Sequence, residues 1–89
     1  MSEITLVIHH KVGLHARPAA MFVQTAKKFR STIRATYGER EANAKSILSV
    51  LTLGADQGAQ VTLRAEGEDA EQALEALAAL IDSNFGEEA

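Results

Sequence analysis

Apolar residues in this sequence recur with two different periods, and the order of these periods limits the folds open to the chain. Every second residue is apolar over residues 4–8, 33–37 and 61–65, a pattern typical of half-buried strands. Residues 16–30 and 70–81 carry apolar stripes with the three-to-four-residue spacing of helices. A chain that alternates strands with helices buries its apolar faces best as one sheet packed against helices.

Two shorter segments complete the order of elements. Gly38 and Glu39 predict a tight turn, after which residues 40–43 return as a short strand. Residues 47–53 are rich in branched side chains and would suit a strand, but Ser46 before them and Gly54 after them favour a short helix. The prediction is a single α+β domain over residues 1–89, in the order strand, helix, strand, strand, helix, strand, helix.

The last helix has the clearest end signals. Asp69 is predicted to cap its start, with Gln72 three residues later completing a capping-box arrangement. Gly86 is predicted to end the helical pattern and to leave residues 87–89 as a frayed tail.

Composition excludes several classes of protein. The absence of cysteine removes disulfides and thiolate metal sites, and we expect no metal. The longest apolar run, residues 76–81, is six residues long, whereas a membrane helix needs about 20. The N-terminus lacks the pattern of a signal peptide, so we expect a cytoplasmic protein without membrane insertion.

Charge is distributed unevenly along the chain. Residues 1–45 hold eight Lys and Arg against three Glu, a charge of +5, whereas residues 46–89 hold one Arg against nine acidic residues, a charge of −8. This asymmetry favours an anionic or acidic partner over nucleic acid. Two solvated faces with no partner are the alternative.

A first group of residues carries chemistry at the junction of the first strand and helix. Gly13 allows a sharp turn or a close approach of the backbone, and Pro18 suits the first helical turn. His15 falls at the helix start, where the backbone N–H groups of Ala16 and Arg17 have no partners within the helix and favour an anion. The Arg17 guanidinium can hold two oxygens of a phosphoryl group. The combination predicts that His15 accepts a phosphoryl group and passes it on.

Each of these residues also has a plain structural interpretation. A lone histidine near a helix start is usually a cap or a surface residue. His9 and His10 lack the surroundings of His15, and we interpret both as surface or strand-end residues.

The segment Gly13-Leu14-His15-Ala16-Arg17-Pro18-Ala19 resembles the active-site signature of the HPr family, the histidine-containing phosphocarriers of the bacterial phosphoenolpyruvate-dependent sugar phosphotransferase system. The resemblance implies an open-faced β-sandwich, in which three helices cover one face of a four-stranded antiparallel sheet. It also implies that enzyme I phosphorylates His15 on Nδ1, that Arg17 steadies the phosphate, and that the IIA domains of sugar permeases receive it. Such a carrier needs no cofactor and is not a stand-alone enzyme.

A second segment, residues 45–51, resembles the regulatory site of the same family. There the resemblance implies that HPr kinase/phosphorylase phosphorylates Ser46, a residue that is also the predicted helix cap. The sequence departs from the commonest regulated pattern, since Leu48 and Leu51 stand where methionine is frequent and Ser49 stands where glycine is frequent.

The two helices around these segments predict a docking surface, with apolar residues inside a basic rim. Ordinary core packing is the alternative for Leu48 and Leu51. In the family, enzyme I and the IIA domains share this surface. The predicted docking residues are Arg17, Ala20, Gln24, Lys27, Ile47, Leu48 and Leu51.

Other functions remain open at this point. The chain can be a monomeric carrier of the sugar system or a carrier of its nitrogen-related branch. It can also be a binding module that contacts transcriptional regulators according to its phosphorylation state. A small ligand-binding domain of the ferredoxin-like kind would explain the element order but not the signature.

Overall fold

The computed structural model describes residues 2–11 and 13–86, so Val12 and the predicted tail at 87–89 lie outside the described residues. The elements are β1 (Ser2–Val7), α1 (Ala16–Ala26), β2 (Thr32–Tyr37), β3 (Arg40–Asn43), α2 (Ile47–Thr52), β4 (Gln60–Glu66) and α3 (Ala70–Asp82), followed by a short 3₁₀ turn, Asn84–Gly86.

The strands form one sheet in the order β1-β4-β2-β3, and every neighbouring pair is antiparallel. The register places inward-facing apolar residues opposite one another: Ile4 lies across from Leu63, and Ile33 lies across from Ala65. Cross-strand pairs of this kind stabilise a sheet and specify its register. The predicted fold, an open-faced sandwich of βαββαβα order, is confirmed.

The core lies between this sheet and the helices. Helix α3 packs on β1 and β4, α2 lies against β3, and α1 packs beside both α2 and α3. The predicted apolar stripe of α1 is buried, with Phe22 its largest side chain, and the stripe of α3 is buried around Leu77 and Ile81. With few aromatic residues available, small and branched aliphatic side chains fill most of the interior.

The opposite face of the sheet is polar. The Arg64 Nε atom lies 2.6 Å from a carboxylate oxygen of Glu3, and Arg34 pairs with Glu41 at 3.2 Å. Both pairs are about half exposed, and exposed ion pairs of this kind contribute little stability. The hydrogen bond to Glu3 raises the pKa of Arg64 above its usual value. Over the described ranges, no helix is long and apolar enough to cross a membrane.

Two helix ends differ from their predicted positions. Helix α1 ends at Ala26 rather than near residue 30, because the chain tightens into three-residue turns there: Lys28 N–H donates to the Thr25 carbonyl at 3.1 Å. Helix α3 ends at Asp82, before Gly86. The chain then takes left-handed backbone angles at Asn84 and Phe85, with φ values of 57° and 58°, and buries the Phe85 ring.

The predicted capping box of the last helix is wrong. Asp69 stands at the start of α3, but in this part of the structure its side chain makes no capping bond to that helix. Its carboxylate instead accepts hydrogen bonds from the backbone N–H groups of Arg30, at 2.8 Å, and Ser31, at 2.9 Å, and from the Ser31 hydroxyl. The hydroxyl of Ser31 and the amide of Arg30 lower the pKa of the Asp69 carboxyl. Asp69 therefore ties the start of α3 to the turn between α1 and β2.

Candidate functional site

His15 is the N-cap residue of α1, as the sequence predicts. Its backbone is extended, with φ −93° and ψ −169°, and its carbonyl accepts the first hydrogen bond of the helix, from Ala19 N–H at 2.8 Å. The side chain is exposed and makes no capping bond to the described residues that follow it. The imidazole is therefore placed at the helix start without being used to close it.

The helix start beside His15 offers hydrogen-bond donors to an anion. Because the first bond back to the chain is made by Ala19, the amides of Ala16 and Arg17 have no acceptor within the helix. The next residue, Pro18, has no N–H group, so its place in the first turn removes no further helical hydrogen bond. The positive end of the helix dipole lies at this end of α1, and Arg17, an exposed residue of the first turn, adds a permanent positive charge.

Gly13 shapes the turn that leads to His15. Its φ is +66°, and a Cβ atom at this position would collide with the carbonyl oxygen of Ala55. The same carbonyl accepts a hydrogen bond from Leu14 N–H at 2.8 Å. Both properties predicted for Gly13, a sharp turn and a close backbone approach, are present together. The partner in this approach is the loop after α2, which the sequence pattern does not identify.

His10 differs from its predicted surface position. Its side chain is only 8% exposed, and its ring centroid lies 5.5 Å from that of His15. The alternation of inward side chains in β1, such as Ile4 and Leu6, continues past the end of the strand through buried Ile8 to His10, so the sequence pattern contained a signal for this burial. His9, one residue earlier, is exposed as predicted.

Ser46 caps α2, which confirms the structural part of its predicted role. Its hydroxyl oxygen accepts a hydrogen bond from Ser49 N–H at 3.3 Å. The Ser49 hydroxyl in turn accepts from the backbone N–H of Asn43 at 2.9 Å, which fastens α2 to the end of β3. The serine that departs from the family pattern thus has a structural role here.

The two faces of α2 separate as predicted. Leu48 is 71% exposed and Leu51 is 37% exposed, with Ile47 beside them, whereas Val50 and Leu53 are buried. Core packing is therefore ruled out for Leu48. Of the predicted docking residues on the neighbouring α1, three are exposed and Ala20 is half-buried; the exposed ones are Arg17, Gln24 and Lys27. Within residues 2–11 and 13–86, no three potential ligands from His, Cys, Asp and Glu are grouped to hold a metal ion.

Comparison with known proteins identifies the family. Residues 2–83 match a family model described as the PTS HPr component phosphorylation site. The chain belongs to the HPr family. A crystal structure of HPr-C-His from Thermoanaerobacter tengcongensis is 54% identical, covers 100% of both chains and superposes with a TM-score of 0.97. The phosphocarrier protein HPr of Xylella fastidiosa strain 9a5c is 43% identical over 88 residues, 99% of each chain.

A relative with a different name is also similar. The catabolite repression protein Crh of Bacillus subtilis is 42% identical, the match covers 94% of this chain and 97% of that one, and the TM-score is 0.75. Its structure is described as a domain-swapped dimer. Because the curated relatives are named phosphocarriers, the chain is a phosphocarrier of the phosphotransferase system, and a purely regulatory role is not favoured.

Proposed function

We propose that His15 is the residue that carries the phosphoryl group, accepting it from phospho-enzyme I and passing it to the IIA domains of sugar permeases. One observation supports this assignment above others: the N-cap residue of α1 carries an exposed imidazole that makes no capping bond, next to amides that have no acceptor within the helix. An anion formed on this ring would meet donors already in place, without any rearrangement of the backbone.

The transfer moves the phosphoryl group from one bond to another. The lone pair of one ring nitrogen of neutral His15, which we assign to Nδ1, attacks the phosphorus atom that phospho-enzyme I presents. The bond from phosphorus to enzyme I breaks, its electron pair stays on the enzyme I atom, and the His15 imidazole keeps the proton on its second nitrogen. In transfer to a IIA domain, a nucleophile of that domain attacks the same phosphorus, and the bond to Nδ1 breaks with its electron pair left on His15. Such a reaction needs positioning and charge stabilisation rather than a cofactor, and we infer that the chain uses none.

The phosphate would be held by the Ala16 and Arg17 amides and by the Arg17 side chain. The amides are fixed by the helix, whereas the guanidinium is exposed and can move to meet the phosphoryl oxygens. The permanent charge of the guanidinium suits a group that arrives and leaves as a dianion.

A labelling experiment tests the assignment. With enzyme I, Mg²⁺ and labelled phosphoenolpyruvate, the wild-type chain should take up one acid-labile phosphate, and His15→Ala should take up none. The matched control is His9→Ala, which removes another exposed histidine near the site and should leave uptake unchanged. Acid-labile label on His15→Ala would overturn the assignment.

We further propose that enzyme I and the IIA domains dock on the apolar patch of Ile47, Leu48 and Leu51, with a rim of Arg17, Ala20, Gln24 and Lys27. Exposed leucines on a six-residue helix contribute little to the fold, but they can be buried by a partner. The basic rim favours an acidic partner surface.

Two variants that remove equally exposed apolar side chains test this surface. Leu51 and Val7 are each 37% exposed, but Val7 lies on β1, in the open face of the sheet. Leu51→Ala should raise the KM for this chain as substrate of phospho-enzyme I about threefold or more, while Val7→Ala should not change it. Equal KM values for the two variants would contradict the proposed surface.

We also propose that HPr kinase/phosphorylase phosphorylates Ser46. A phosphate there would add negative charge beside the docking patch and weaken binding of an acidic partner. The cognate kinase and ATP should produce an acid-stable phosphate on the wild-type chain and on Ser49→Ala, but none on Ser46→Ala. If the cognate kinase leaves Ser46 unlabelled, this regulation is excluded.

The oligomeric state and location follow from the same proposal. We infer a monomer in the cytoplasm, where enzyme I and regulators that bind the phosphorylated form can reach both sites. Sedimentation equilibrium should give the mass of one chain across micromolar concentrations. A stable dimer, as described for Crh, would contradict the monomer.

A further inference from the structure

A second histidine lies directly beside the proposed phosphate acceptor. The His10 side chain is buried, and its ring is tilted by 42° to that of His15 at a centroid distance of 5.5 Å. The backbone of His10 is fixed as well, because its carbonyl accepts a hydrogen bond from Gly13 N–H at 3.0 Å. The exposed ring of His15 therefore has a firmly placed aromatic neighbour on one side.

The C-terminal end of the described chain supports His10 from another side. The Phe85 ring meets the His10 ring edge-to-face, with centroids 5.8 Å apart and planes at 79°, a favoured arrangement for aromatic pairs. Phe85 and Asn84 both hold left-handed backbone angles, which are unfavourable for residues other than glycine. Such angles persist only where the surrounding contacts compensate for them, and the buried ring of Phe85 supplies those contacts.

We propose that His10 is a positioning residue for His15: held by Phe85, its buried ring limits the orientations of the His15 imidazole. The proposal rests on the assignment of His15 as the phosphate acceptor. A histidine ring turns easily about its last side-chain bond, and an exposed one has few contacts to stop it. In-line attack on phosphorus needs one nitrogen aimed at the donor, so a neighbour that removes unproductive orientations speeds transfer. His10 itself forms and breaks no bond.

Substitutions at position 10 separate ring contact from general stability. In single-turnover transfer from phospho-enzyme I, His10→Ala should lower the maximal rate about fivefold or more while leaving the concentration for half-maximal rate within about twofold. His10→Phe keeps an aromatic ring and should restore most of the rate. His9→Ala is the neighbouring control and should behave as the wild type. Rates are taken well below each variant's unfolding temperature, so that only folded protein is compared.

A spectroscopic measurement reads the orientation of His15 without any transfer. Three-bond couplings across the Cβ–Cγ bond of His15, about which the ring turns, should show one dominant ring orientation in the unphosphorylated wild type and in His10→Phe, and averaged orientations in His10→Ala. Phe85→Leu, which keeps an apolar side chain in the core, gives a second route if position 10 does not tolerate alanine, and should produce partial averaging.

The outcomes distinguish this proposal from the one on which it rests. Unchanged His15 couplings and unchanged rates in His10→Ala and Phe85→Leu would overturn the positioning role while leaving His15 as the acceptor. Equal loss of rate in His10→Ala and His10→Phe would also overturn it, since the aromatic contact would then not matter. Failure of the wild-type chain to become labelled on His15 would instead overturn the assignment of the acceptor.

Discussion

The starts of α1 and α2 use the same backbone geometry for different purposes. Both N-cap residues have extended backbones, and the carbonyl of each accepts the first hydrogen bond of its helix. At α2 the Ser46 hydroxyl also accepts a hydrogen bond from the Ser49 N–H of its own helix, so one of the amides at this helix end already has a partner. At α1 the side chain of His15 makes no capping bond, and the amides of Ala16 and Arg17 have no acceptor within the helix.

The difference shows how the N-cap side chain decides whether the amides at a helix start are bonded within the protein or are left to a ligand. A serine is short enough to fold back on the amides of its helix, which stabilises the helix but occupies a donor. An imidazole that points outward leaves the donors to an external anion. The start of α3 is a third case, because its Asp69 carboxylate turns away to bind Arg30 and Ser31.

The largest expected effect concerns the turn that sets the start of α1. Gly13→Ala should lower the free energy of unfolding by about 2 kcal/mol or more, because the new Cβ would meet the Ala55 carbonyl in a left-handed backbone. Gly38 is the matched control, since it has a similar φ of +62° but nothing within 4 Å of the added atom. Gly38→Ala should lower the free energy of unfolding by only about 1 kcal/mol. Chemical denaturation measures both, and equal losses would show that the close approach is unimportant.

The next effect concerns the charge at the open helix start. Arg17→Ala should slow transfer from phospho-enzyme I about tenfold to a hundredfold, because one of the groups that stabilise the phosphoryl charge is lost. Arg34→Ala removes an equally permanent charge from the open face of the sheet and should leave the rate unchanged. Equal rates for Arg17→Ala and the wild type would mean that the amides alone suffice.

The sequence predicted the elements and the open helix start well because both depend on local patterns. Alternation placed β1, β2 and β4, and a glycine, a histidine and a proline within six residues marked the start of α1. Leu48 was predicted to lie outward from its spacing with Leu51, and the structure agrees.

Contacts between distant segments could not be predicted in the same way. Asp69 carries every local sign of a helix cap, yet Ser31, 38 residues earlier in the chain, competes for its carboxylate. The contact of Gly13 with Ala55 and that of His10 with Phe85 join equally distant segments. Local propensity does not identify which group a side chain will contact when two segments meet only in the folded state.

A smaller effect is expected at the start of α2, where Ser46 caps the helix. Ser46→Ala should lower the free energy of unfolding by about 1 kcal/mol, because an amide of α2 loses its acceptor. Transfer to His15 should continue at the wild-type rate. Thermal unfolding and the labelling assay measure the two quantities separately. Slower transfer in Ser46→Ala would show that the two helix starts are coupled.

The smallest effect is a pH dependence at the start of α3. Since folding lowers the pKa of Asp69, its carboxylate stabilises the fold above its unfolded pKa of about 3.9, and this contribution is lost as the pH falls through the folded value. Asp69→Asn should therefore be less stable than the wild type at neutral pH. The difference between their free energies of unfolding should become smaller below about pH 4. Denaturation midpoints of both proteins at several pH values measure this difference. A stability difference that does not change with pH would show that the carboxylate charge does not matter.

The central claim is that the open start of α1 receives the phosphate. The most direct measurement compares ¹H–¹⁵N spectra of the chain before and after phosphorylation by enzyme I. We expect large downfield shifts of the Ala16 and Arg17 amide protons, as is usual for donors that gain a charged acceptor, with little change at Ile47 and Ser49. Unmoved amides at Ala16 and Arg17 in a fully phosphorylated chain would contradict it.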